Sequence, residues 1–144
     1  MARQHHILVA EDEEQWREDI FREALEDAGY QVVTSSNYAE AIAALDQQVF
    51  DLAVIDVNLT GVPGNQDGLR VLEQMAALGH DSLSVIVSGS KSRALNEDRI
   101  KEFQPLALVD KTKFDVAEFV TLVASAFASE EEGSGRNAIR SADG

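Results

Sequence analysis

Leu52-Ala53-Val54-Ile55-Asp56 is a run of four apolar residues that stops at a carboxylate. A half-buried strand alternates apolar and polar residues. A strand that is apolar on both faces must be covered on both faces, as a central strand of a parallel sheet is. Comparable short runs stand on either side of it, at 6–10 and 31–34 before it and at 83–87 and 106–109 after it. Pro105 marks the entry to the last of these.

Between the runs the apolar residues recur at helical spacing. Trp16, Ile20, Phe21, Ala24, Leu25 and Ala28 make one stripe, ended by Gly29. Asn37 and Glu40 form a capping-box signal for a helix carrying Ala41, Ile42 and Leu45. Asp67 can cap a third helix with Leu69, Leu72, Met75 and Ala76 facing inward, closed by Gly79. A more polar helix is expected over 93–103. Asp115 with Glu118 caps a last one bearing Ala117, Val120, Val123, Ala124 and Phe127. Five strand–helix alternations predict an α/β fold: a doubly wound, five-stranded parallel sheet in the flavodoxin-like order 2-1-3-4-5, with helices on both faces. The domain is expected over 5–128. Residues 129–144, rich in Glu, Gly and Ser, read as a disordered tail too polar to form a further domain, so no fused output domain is expected.

Composition narrows the function. The 144 residues are 44% hydrophobic, enough for one core. With no cysteine there is neither a disulfide framework nor a thiolate metal site, and His5, His6 and His80 lack zinc-ligand spacing. No apolar stretch approaches the roughly 18 residues that cross a bilayer, and the start has no signal-peptide pattern. The expectation is a soluble, cytoplasmic protein. The net charge of -14 disfavours direct contact with nucleic acid or an anionic membrane.

In an open parallel sheet, ligands bind beyond the carboxyl ends of the strands. There the chain carries Glu11 and Asp12 after the first run, Asp56 after the third, Ser88 after the fourth and Lys111 after the fifth. Two carboxylates about 4 Å apart repel by roughly 4 kcal/mol at an effective dielectric of 20, so three gathered carboxylates require a cation. Mg²⁺ suits hard oxygen ligands completed by water and phosphate oxygens. A lysine and a hydroxyl across the crevice would hold phosphoryl oxygens while the strand-tip carboxylate attacks phosphorus. The arrangement describes phosphoryl transfer to an aspartate.

These residues resemble the motif set of response-regulator receiver domains, over roughly residues 5 to 128. The resemblance implies that Asp56 is the phosphoacceptor and that Glu11, Asp12, Asp56 and the backbone carbonyl of Asn58 hold Mg²⁺. It further implies that Ser88 hydrogen-bonds a phosphoryl oxygen and that Lys111 pairs with the phosphate charge. Asp67-Gly68 also fits the family pattern. The implied partners are a sensor histidine kinase or phosphotransfer protein and a downstream effector that the sequence does not identify. The chain would be a phosphoacceptor signalling domain, not an enzyme.

Three positions depart from the family pattern. Thr60 stands where a proline is common, in a loop over 57–66 about three residues longer than usual. Thr112 follows Lys111 where many members have proline, and Lys113 is a second candidate for the conserved lysine. Leu108 occupies the position of a switching aromatic residue. It is expected to stay packed, with phosphorylation reordering residues 88–103 instead. Two rivals remain. Asp56-Val57-Asn58-Leu59-Thr60 partly resembles the DxDxT motif of haloacid-dehalogenase phosphatases, although Asn58 replaces the second aspartate. A receiver-like interaction module that works without phosphate is the other. Gly61 and Gly64 belong to a turn, not a Walker loop.

Overall fold

A computed structural model describes residues 4–89 and 97–143, with 97 and 131–143 as backbone only. Strand β1 (His6–Ala10) leads into helix α1 (residues 15–27), then β2 (Gln31–Ser35), α2 (Tyr38–Gln47), β3 (Leu52–Asp56) and α3 (Asp67–Ala77). Strand β4 (Leu83–Ser88), α4 (Glu97–Glu102), β5 (Ala107–Asp110), a 3-10 turn (Lys111–Lys113) and α5 (Val116–Asp143) follow. All strands pair in parallel in the order β2-β1-β3-β4-β5, the doubly wound topology expected from the alternating runs.

Every residue of β3 is buried, as its unbroken apolar run requires. Leu8, Ala10, Ala53, Ile55 and Ile86 form one core layer with Ala41 and Leu45 of α2, Leu69, Val71, Leu72 and Met75 of α3, and Ile100 of α4. Because side chains alternate across a strand, Ile7, Val9 and Val54 point to the opposite face. They too are fully buried, as are Phe21 and Leu25 of α1, which packs against β1 and β2. Removing a side chain such as Ile55 from such a layer costs about 2–5 kcal/mol. Residues 15–22 of α1 are wound as a π-helix, with the Glu23 N–H donating to Glu18 O.

Several local expectations are corrected. Asp67 does not cap α3: Gln66 stands at the cap, and the N–H of Asp67 donates to Asn65 Oδ1 at 2.9 Å. Ala28 and Ala76 are exposed, while Val71 joins the core. On α5 the buried residues are Phe119, Val123 and Phe127, with Ala117 and Ala124 exposed. The buried stripe therefore follows the large side chains. Leu108 is not packed but 44% exposed, because it lies on an edge strand of alternating burial. The backbone of α5 is helical through Asp143. The polar helix expected over 93–103 is described only as α4; its earlier residues lie outside the described segment.

Candidate functional site

Register brings the chemistry together. Ala10 pairs with Ile55, so Glu11 and Asp56 stand side by side one residue further on. Asp56 pairs with Val87 and Ser88 with Asp110, which puts Ser88 and Lys111 at the same strand ends. Glu11 and Asp56 are buried, at 0% and 4% exposure, and Asp12 is partly buried. Carboxylate oxygens of Glu11, Asp12 and Asp56 all lie within 4.8 Å of one another. Lys111 Nζ reaches Glu11 Oε1 at 2.6 Å and Asp56 Oδ2 at 2.8 Å, with Glu13 Oε2 further away at 3.7 Å. Lys113, the alternative lysine, is exposed. Ser88 ends β4, partly buried.

One ammonium cannot neutralise three carboxylates. Burial first, and then repulsion from Asp56, push the Glu11 carboxyl up to about 9, against the pull of Lys111 and of the Glu13 N–H. Burial alone would lower the pKa of Lys111, but Asp56 and then Glu11 outweigh it and hold the ammonium charged. The hard oxygen donors of Glu11, Asp12 and Asp56 could hold a divalent cation such as Mg²⁺, whose charge would favour the ionised form of Glu11.

Two asparagines shape the loop beside the site. The Asn58 N–H donates to Asp56 Oδ1 at 2.9 Å. Its own Oδ1 accepts from the N–H groups of Thr60 and Gly61, both at 3.0 Å, and its Nδ2 donates to Val62 O at 2.7 Å. Asn65 Oδ1 accepts from the Leu59 N–H as well as that of Asp67. These Asx-type bonds fold the long loop without a proline. Gly68 closes it: its N–H donates to Val57 O at 2.9 Å, and a Cβ there would sit 1.9 Å from Asp56 O. Only glycine lets α3 start this close to the strand end. At Gly89 a Cβ would stand 3.3 Å from Lys111 Cδ, so the missing side chain leaves room for the lysine stem.

Sequence reasoning missed Arg17, whose Nη1 donates to the carbonyls of Glu11 at 3.2 Å and Asp12 at 3.3 Å. It thereby ties α1 to the acidic turn. Its place in an ordinary polar stretch gives no signal, because the contact runs to backbone.

The profile of the response regulator receiver domain matches residues 7–119. The alginate biosynthesis transcriptional regulatory protein AlgB of Pseudomonas aeruginosa is 44% identical over 73 residues, which is 51% of this chain and 15% of that protein. The chain thus spans only a small part of that relative's length. The response regulator receiver protein CpdR of Brucella abortus is 32% identical over 92 residues, 64% of this chain and 72% of its own. Among solved structures, a CheY-like receiver domain from Methylobacillus flagellatus superposes with a TM-score of 0.68 at 28% identity, covering 85% of this chain and 98% of that one. The profile covers most of the sequence and its matched span contains the whole carboxylate–lysine cluster; the chain belongs to the response regulator receiver domain family, the phosphoacceptor module of two-component signalling.

Proposed function

We propose that Asp56 accepts a phosphoryl group in a Mg²⁺-dependent reaction, from the phosphohistidine of a sensor histidine kinase or phosphotransfer protein or from acetyl phosphate. The observation that carries this reading is the reach of one lysine to both Asp56 and Glu11 at the strand ends. A carboxylate oxygen of Asp56 attacks phosphorus, the bond from phosphorus to the donor breaks, and the donor leaves with the electron pair. Lys111 meets the phosphoryl charge, and Ser88 donates to a phosphoryl oxygen. Glu11, Asp12, Asp56 and the backbone carbonyl of Asn58 hold the ion, which supplies charge neutralisation on the transferred group. The receiver unit spans 5–128 and acts on a downstream protein by docking.

The phosphatase alternative needs a general acid at position 58. Here Asn58 spends its side chain on the loop, and an amide cannot serve as that acid. Incubation with ³²P-labelled acetyl phosphate and Mg²⁺ tests the proposal. Asp56→Asn is expected to abolish the label, and Lys111→Ala to reduce it strongly. Undiminished labelling of Asp56→Asn would move the acceptor elsewhere, and steady turnover of a phosphomonoester would restore the phosphatase reading.

A further inference from the structure

Trp16 is the chain's single tryptophan, and its ring centroid lies 5.1 Å from Lys111 Nζ. The ring meets Phe114 edge-on at 5.3 Å and Phe21 at 5.7 Å, while Phe21 and Phe114 meet at 5.5 Å. Phe114 directly follows the 3-10 turn that begins with Lys111. The entry to that turn is fixed by Asp110 Oδ1, which accepts from the Thr112 N–H at 2.9 Å and the Thr112 hydroxyl at 2.7 Å. The lysine is therefore held at both ends, by Asp110 and Phe114 along the backbone and by Trp16 at the ammonium. Position 112 carries no proline to stiffen the segment, so the three-ring cluster and Asp110 supply the restraint that a fixed φ would give.

We propose that Trp16 is a positioning residue for phosphoryl transfer, its indole face holding the Lys111 ammonium beside Asp56. The inference rests on the reading of Asp56 as acceptor. Before transfer, Lys111 is held by carboxylates on Asp56 and Glu11. When Asp56 becomes an acyl phosphate its charge passes to the phosphoryl oxygens, and the ammonium must follow without being released to water. The negative face of the indole does not change in that step, so it keeps a four-bond side chain within reach.

The test compares wild type with Trp16→Leu, which removes the aromatic face, and Trp16→Phe, which keeps one. Acetyl phosphate and Mg²⁺ are saturating, and melting curves establish that each variant is folded. Labelling of Trp16→Leu is expected to slow about three- to tenfold, the range of a partly desolvated cation–π contact. Trp16→Phe should recover much of the rate, and the Mg²⁺ concentration at half-maximal labelling should stay unchanged. In ¹H–¹³C spectra the Lys111 Cε protons, shifted by the ring current in wild type, should return to ordinary values in Trp16→Leu. Equal labelling rates, a Phe variant no better than Leu, or a Lys111 signal indifferent to Trp16→Leu would each overturn the proposal. A wild-type chain that takes no label at Asp56 would instead sink the acceptor reading, and the Lys111 spectrum would still decide whether Trp16 holds the lysine.

Discussion

At the scale of single residues, Gly68 shows how closely the fold and the site are joined. A methyl group there would collide with the backbone of Asp56, which no rotamer change can relieve. Gly68→Ala is thus expected to force a backbone shift costing on the order of 3 kcal/mol. Chemical denaturation measures the loss. The shift would also carry Asp56 out of reach of Lys111, so label uptake should fall even where the variant is folded. Leu72→Ala, a core truncation worth about 2–5 kcal/mol, should lose comparable stability yet keep labelling while folded. Equal labelling by both variants would deny Gly68 any bearing on the acceptor. The carboxylates and the lysine were readable in the sequence because each lies within two residues of the end of an apolar run. Trp16 read only as a core position and Arg17 not at all, because a contact to a distant ammonium or to a carbonyl leaves no pattern in the local sequence.

At the scale of elements, the start of α2 was legible and the start of α3 was not. The Asn37 side chain accepts from the Glu40 N–H at 2.9 Å, and Glu40 Oε1 accepts from the N–H and hydroxyl of Ser36 at 2.7 and 2.8 Å. This is a variant of the expected capping box, in which Glu40 reaches past the Asn37 cap to Ser36, and such local bonds are what sequence spacing encodes. At α3 the equivalent role falls to Asn65, two residues upstream of the expected cap, because the loop must also bond back to Leu59. Asn37→Ala should cost about 1 kcal/mol in urea unfolding. The bonds from the Ser36 N–H, then from its hydroxyl, hold Glu40 below its ordinary pKa of 4.5. A carboxyl depressed in the folded state contributes stability above its unfolded pKa, and that contribution disappears as pH falls through the lower folded value. An NMR titration of Glu40 should therefore show a midpoint below 4.5 that moves only part of the way back in Ser36→Ala, because the N–H bond, the larger cause, survives the substitution.

At the scale of the whole molecule, strand order and the depth of the core followed from the alternation of apolar runs. The exposure of Leu108 did not, since it depends on the place of β5 at the sheet edge and not on the strand's own periodicity. The charge of the molecule bears on its stability in two separable ways. A net charge of -14 repels itself everywhere, and any added salt relieves part of that repulsion. The cluster of Glu11, Asp12 and Asp56 concentrates three of those carboxylates within 4.8 Å, where a bound divalent ion acts by mass action on the folded state alone. At a Mg²⁺ concentration 100 times its Kd the site would add about 2.7 kcal/mol, a rise in Tm of roughly 8 °C for a chain of this size. NaCl at equal ionic strength should give only the screening part. Asp12→Asn separates the two: its melting temperature without Mg²⁺ should rise, because a charge crowded against Asp56 is gone, and its specific response to Mg²⁺ should largely vanish. If Mg²⁺ raises the melting temperature of Asp12→Asn as much as that of wild type, the stabilisation comes from screening of the acidic surface and the cluster is not a metal site.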